Sequence, residues 1–239
     1  MAELLEIKHV SKRYRGLVAN QDVNLTVASG SMRCIIGPNG AGKTTLISLV
    51  SGHQTPTTGE IWFKGENVTH RSVPQRSRLG IVRKFQTPTL YNNLSTYKNL
   101  ELAVLGSRCA PKRRHTRILQ VLELVRMTEF IRTSVSRLSH GQKQWLEIGL
   151  LIANDAELLL LDEPTAGMTA EETHATGELV RGLVQDLHLS AMIIEHDINF
   201  IRDLRAPVTV LHLGAVLAEG EFDQIQQNET VRKVYLGEE

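Results

Sequence analysis

The residues Gly37-Pro38-Asn39-Gly40-Ala41-Gly42-Lys43-Thr44 have the composition and spacing of a loop that cradles phosphate. Three glycines let the backbone turn tightly, so that successive N–H groups converge on phosphate oxygens. A helix expected to start near Lys43 adds the positive end of its dipole. In such a loop Lys43 reaches the β- and γ-phosphates and the Thr44 hydroxyl binds Mg²⁺, with Thr45 next to it in the binding set. A second chemical element follows later in the chain. Leu158-Leu159-Leu160-Leu161 reads as a buried strand, and Asp162 and Glu163 come directly after it. That puts Asp162 at the carboxyl edge of a sheet, where open α/β folds bind ligands and where a carboxylate can hold Mg²⁺. Glu163, one residue on, is placed to polarise a water attacking the γ-phosphate. Taken alone, the pair would read equally well as a solvated strand end before Pro164; the phosphate loop makes them functional candidates.

The elements that must position these groups are legible from periodicity. Leu4 to Val10, Asp22 to Val27 and Ile61 to Phe63 alternate in the manner of antiparallel strands, the last followed by a Lys64-Gly65 turn. Met32 to Ile36 is apolar apart from Arg33 and ends at Gly37, which suits a buried central strand. A strand is also expected from Leu79 to Phe85. From Thr96 to about Ala153 the period becomes helical, with Leu100, Ala103, Val104, Ile118, Val121, Leu122 and Val125 on apolar faces. Leu158 to Leu161 and Ala191 to Glu195, separated by a helical stretch from Ala170 to Leu187, form a parallel βαβ unit. A last strand pair, Val208 to Leu213 and Val216 to Ala218, turns at Gly214 and leads into one short C-terminal helix. The expected fold class is α/β: a phosphate-loop core with an N-terminal antiparallel β layer and a helical insertion between about 88 and 153.

Composition narrows the function classes. A chain of 239 residues that is 41% apolar and 22% charged can bury a core, and its formal charge of +1 gives no overall field for nucleic acid. Its longest apolar runs are too short to span a bilayer, and the first residues lack the pattern of a secretory signal. Two cysteines, Cys34 and Cys109, without metal-binding spacing, point to free thiols in a reducing compartment. Cys34, in a buried strand, reads as core packing. The basic cluster Arg108, Lys112, Arg113, Arg114 and Arg117 could suggest nucleic acid or an anionic membrane surface, but such a run is more often a solvated helix face or loop, and no interleaved aromatics support base stacking.

Leu138-Ser139-His140-Gly141-Gln142 resembles the LSGGQ signature of ABC ATPases and lies about 20 residues before Asp162, as in that family. By itself Ser139 would be an ordinary helix cap. The resemblance implies instead that Ser139, Gly141 and Gln142 open a helix that contacts the γ-phosphate of ATP held by a facing subunit. It further implies that Gln86 reaches Mg²⁺ and the attacking water, that His196 contacts the γ-phosphate and orients that water, and that Tyr14 stacks on adenine. Each of these three, met alone, would be a surface or satisfied polar residue. The implied catalytic set is Glu163, His196 and Gln86, and the implied metal set is Thr44, Gln86 and Asp162.

The resemblance covers essentially the whole chain, 1–239, as a single ABC ATPase domain with the helical subdomain inserted in the α/β core. Around the motifs, Arg83-Lys84-Phe85-Gln86-Thr87-Pro88, the stretch from Leu138 to Gly149, Ala166-Gly167-Met168-Thr169 and the ending Tyr235-Leu236-Gly237 are similar to the urea-uptake branch of the branched-chain amino acid and amide importers. This implies uptake of urea or a short amide, with branched-chain amino acid uptake as the alternative. It implies two transmembrane permease subunits, a second related ATPase as a heterodimer partner (a homodimer is the alternative), an extracytoplasmic solute-binding protein, no nucleic acid, and a peripheral position on the cytoplasmic face of the plasma membrane. A non-transport ABC ATPase is disfavoured by the single cassette and the lack of a sustained heptad run. A module that binds ATP without hydrolysing it is disfavoured by intact Glu163 and His196. Two positions depart from the family pattern. His140 stands where most members have glycine, and Thr169 where many have an aspartate that crosses the dimer interface.

Overall fold

The computed structural model describes residues 3–84 and 90–236. The chain opens with two long antiparallel strands, β1 (Glu3–Tyr14) and β2 (Leu17–Ala28), followed by β3 (Met32–Ile36), helix α1 (Lys43–Ser51), β4 (Thr58–Phe63) and the short β5 (Glu66–Asn67). Strands β2, β1, β4 and β5 make a four-stranded antiparallel sheet in that order. The first two strands run further than their alternation suggests, because bulges at several positions carry the pairing past breaks in the pattern.

Next come α2 (Val73–Leu79), β6 (Ile81–Arg83), α3 (Thr96–Gly106), α4 (Arg114–Leu124), α5 (His140–Ala153) and β7 (Leu158–Asp162). Helix α6 (Ala170–Leu187), β8 (Ser190–Ile194), α7 (Ile198–Leu204), β9 (Val208–His212), β10 (Ala215–Gly220), α8 (Phe222–Gln227) and α9 (Glu229–Leu236) complete the described chain. A six-stranded sheet has the order β10-β9-β3-β8-β7-β6, parallel except for the edge strand β10. The neighbours β7 and β8, joined by α6, are the expected βαβ unit.

Several expectations need correction, among them the end of β8: it stops at Ile194, so that Glu195 lies just beyond the strand. Leu79 does not begin a strand: it ends α2, a helix that starts at a Ser72–Gln75 capping box with Pro74 in its first turn and stops at Gly80. The strand that follows is only Ile81–Arg83, and Phe85 lies outside the described residues. Asp162 is the last residue of β7, paired in register with Ile194, not the first residue beyond it. The C-terminal helix is two helices, broken at Asn228, whose side-chain oxygen accepts from the Thr230 and Val231 N–H groups and starts α9.

The inner strands β7 and β8 of the central sheet are buried on both faces, which is why Leu158 to Leu161 reads as a continuous apolar run. On β7, Leu158 and Leu160 face the core shared with α1 and the antiparallel sheet, whereas Leu159 and Leu161 face the core shared with α3 to α7. Each fully buried leucine contributes about 1.5–3 kcal/mol, so this one strand anchors both layers. Arg76 of α2 is buried with them. Its guanidinium donates to the Leu49, Val50, Thr69 and Arg71 carbonyls, capping the end of α1, and burial lowers its pKa to about 10.

Candidate active site

The loop between β3 and α1 has its shape because three glycines permit it. Gly37, Gly40 and Gly42 have φ of 152°, 81° and 97°. A side chain at Gly37 would run into the Leu211 carbonyl, and one at Gly42 into the Ala19 carbonyl, so backbone passes backbone at both ends of the loop. Helix α1 begins directly at Lys43, with no side chain capping its first N–H groups. Those donors and the helix dipole can therefore serve an anion. The Lys43 ammonium donates to the Gly37 carbonyl at 2.6 Å and the Pro38 carbonyl at 3.0 Å, pinning the loop from inside. Burial lowers its pKa, while the carboxylates of Glu163 and Asp162 oppose that shift. Thr44 is exposed beside it and Thr45 half-buried.

At the end of β7, Asp162 is 1% exposed, and its Oδ2 accepts from Arg83 Nη2 at 3.0 Å. Arg83 also donates to the Ser48 hydroxyl of α1 at 2.8 Å, tying β6, α1 and β7 together. The other oxygen, Asp162 Oδ1, has no hydrogen-bond partner among the described residues, although it is fully buried. Burial raises the Asp162 pKa, with Arg83 opposing and Glu163 adding to the rise. A buried carboxylate oxygen that no described residue shares, within electrostatic reach of Lys43 in the phosphate loop, suits a hard divalent cation.

Glu163 adopts a left-handed backbone, φ 49°, which is uncommon for a residue with a side chain. Its N–H is held by the Ile194 carbonyl at 2.9 Å, and its Oε1 lies 3.3 Å from His196 Nε2. Both side chains are more than a third exposed, so water reaches them. Behind them, buried Glu195 joins the two loops. Its Oε1 accepts from the Thr165 N–H at 2.8 Å and the Thr165 hydroxyl at 2.5 Å, and its Oε2 accepts from the His196 N–H at 3.0 Å. Lys43, Asp162, Glu163 and His196 thus gather at the carboxyl ends of β3, β7 and β8: Lys43 opens α1, Asp162 ends β7, and Glu163 and His196 lie in the loops just beyond β7 and β8. Tyr14 stands exposed at the end of β1, with the Lys12 ammonium 5.0 Å from its ring centre. Gln86 lies outside the described residues.

Ser139, Gly141 and Gln142 are gathered at the start of α5. Ser139 is the N-cap: its hydroxyl accepts from the Gln142 N–H at 3.2 Å, and Gln142 Oε1 accepts from the Ser139 N–H at 2.9 Å. Among the described residues, Ser139 and Gly141 lie against Glu172, in the first turn of α6. His140 Nε2 lies 2.8 Å from the Ala166 carbonyl, and Trp145 Nε1 donates to the Thr176 hydroxyl at 2.8 Å. Arg83 and Glu195 carry no local signature in the sequence, because each acts through partners far away in the chain.

Residues 20–166 match the family model described as "ABC transporter". The chain belongs to the ABC transporter ATP-binding family. Residues 215–239 of this ABC ATPase also match the model described as "Branched-chain amino acid ATP-binding cassette transporter". It is 34% identical to the high-affinity branched-chain amino acid transport ATP-binding protein BraF of Pseudomonas aeruginosa, covering 98% of both chains. It is 32% identical to a probable branched-chain amino acid transport ATP-binding protein LivG of Archaeoglobus fulgidus, over 98% of this chain and 96% of that one. Among solved structures, an ATP-binding cassette of an ABC transporter superposes with a TM-score of 0.89 at 25% identity, covering 98% of this chain and 99% of that one. A dimeric cassette in a post-hydrolysis state bound to ADP and Pi superposes with a TM-score of 0.78 at 26% identity, over 92% and 99% of the two chains. The fold is that of the ABC cassette, and the chain is an ATP-binding, ATP-hydrolysing transport subunit. Such subunits dimerise and work with transmembrane permeases. Among the described residues no helix is long and apolar enough to cross a membrane itself.

Proposed function

We propose that this ABC ATPase holds ATP on Gly37–Thr45 and hydrolyses it with Glu163 as general base and His196 as the group that orients the water. The observation that carries this reading is the 3.3 Å approach of Glu163 to His196 at the sheet edge that also bears Lys43 and Asp162. Lys43 would exchange its loop carbonyls for phosphate oxygens, a charge-assisted bond stronger than those it leaves. Tyr14, exposed on the antiparallel layer, would stack on the base. Thr44 and the unshared oxygen of Asp162, with Gln86, would hold Mg²⁺, which when bound neutralises charge on the phosphates. Ser139, Gly141 and Gln142 would complete the site of a facing subunit, so that ATP is shared and its hydrolysis loosens the pair.

The whole chain acts as one cassette, with the helices between about 88 and 153 passing motion to the permeases. An open groove of about 240 Å³ between α3 and α5, lined by Lys84, Tyr91 and Leu102, supports that docking. The assembly comprises two permease subunits, a related second ATPase and an extracytoplasmic binding protein, with this chain on the cytoplasmic face of the membrane. The relatives' names and the C-terminal family model favour a branched-chain amino acid as cargo. The wording from Leu138 to Gly149 and from Ala166 to Thr169 favours urea or a short amide. Uptake into proteoliposomes containing the assembled transporter, with leucine against urea, decides between them. Turnover stimulated by neither cargo would contradict both readings.

A further inference from the structure

Glu172 lies where the first turn of α6 meets the first turn of α5. Its Oε1 accepts the Ser139 hydroxyl at 3.1 Å and its Oε2 accepts the Thr169 N–H at 3.2 Å. Its own N–H donates to the Thr169 hydroxyl at 3.2 Å, completing the capping box of α6. The Gly141 N–H faces the same carboxylate, and the fit is close: a side chain carbon at Gly141 would come within 2.8 Å of Oε1. The Thr169 N–H, the Ser139 hydroxyl and the Gly141 N–H together hold the Glu172 carboxyl below the usual carboxylate range. The Ser139 hydroxyl and the Gly141 N–H, two donors that a facing subunit's γ-phosphate needs, are thus already engaged by an anion of the same chain.

We propose that Glu172 is a positioning residue of the shared ATP site, holding Ser139 and Gly141 on its carboxylate until the γ-phosphate of the facing subunit displaces it. The proposal rests on the shared-nucleotide reading above. A helix N-terminus and one hydroxyl favour a single negative charge, and a second anion on the same donors is repelled. Closure of the pair therefore requires the carboxylate to move aside. After hydrolysis, the returning carboxylate competes for the donors and favours opening. Its second oxygen bonds Thr169, so the displacement is also felt in the loop that leads back to Glu163. Helix α5 stays attached without it, to α6 through Trp145 to Thr176 and to the loop before α6 through His140 to Ala166.

The test is steady-state ATP hydrolysis by the assembled transporter, separating KM from kcat. Glu172→Gln keeps the shape and an acceptor oxygen while removing the charge. It is expected to lower KM for ATP about three- to tenfold and to lower kcat, because opening slows. Glu172→Ala should lower KM similarly but also lower the thermal midpoint, since the capping box is lost. An unchanged or raised KM in Glu172→Gln overturns the proposal. Ser139→Ala in the same complex separates this from failure of the underlying reading: unaltered turnover there would overturn the shared site itself.

Discussion

Glu163 and His196 leave different strands, β7 and β8, yet their side chains meet at 3.3 Å, Oε1 to Nε2. Neither is placed by its own strand alone. The carboxylate of Glu195 holds Thr165 through two hydrogen bonds and the His196 N–H through a third, so one buried side chain sets the spacing of both loops.

Glu195→Ala should therefore slow hydrolysis with little change in ATP affinity, since Lys43 and the phosphate loop are untouched. A loss in kcat of about tenfold to a hundredfold is expected from the misplacement of a base and its partner. Steady-state kinetics checks it, and an unaltered kcat would show that the loops hold their spacing without Glu195.

Arg83→Met should destabilise the fold by about 3–5 kcal/mol, because it leaves the buried charge of Asp162 without its guanidinium. Urea denaturation measures this. Adding Asp162→Asn should recover much of the loss, as no charge is then left unpaired. A double variant no more stable than Arg83→Met would mean that the methylene packing of Arg83, rather than its charge, is what matters.

These dependencies mark the boundary of what could be read from the sequence. Met32–Ile36 and Ala170–Leu187 fall where periodicity puts them, because the first runs apolar into Gly37 and the second opens on the Thr169 cap and keeps one buried face. The phosphate loop, Asp162, Glu163 and the Ser139 cap were legible because their chemistry is local in the chain. Helix α2 was not: its seven residues are too few for a helical period, and only the capping box and Gly80 announce it. Arg83, Glu195 and Glu172 have no local signature at all. Arg83 stands three residues before Gln86 and reads as wording, while its function is to bridge Ser48 and Asp162. Glu195 reads as the last residue of a strand, although it lies just beyond one and faces inward to Thr165. Glu172 reads as half of a capping box, which it is, but its second partner lies on another helix.

Cys34 yields a prediction on pH. Burial, with a smaller contribution from Glu195, pushes its thiol up from 9.0 to about 12. Between those values the unfolded chain loses a proton that the folded chain keeps, so this group's contribution to stability falls as pH rises through that window. The stability advantage of the natural chain over Cys34→Ala should be full below about pH 8 and shrink towards pH 10. Denaturation of both proteins across that range checks it; an advantage that grows with pH would contradict the sign. In the native protein, a thiol reagent at neutral pH should label the half-exposed Cys109 and leave Cys34 untouched.

Single-turnover hydrolysis in the assembled transporter carrying Glu163→Gln asks whether Glu163 is the base for ATP hydrolysis. The amide keeps the size of the side chain and a contact to His196 but cannot take a proton. ATP should bind with near-normal affinity and remain uncleaved, with hydrolysis slowed on the order of a hundredfold or more. Hydrolysis at the rate of the unaltered complex would contradict the account.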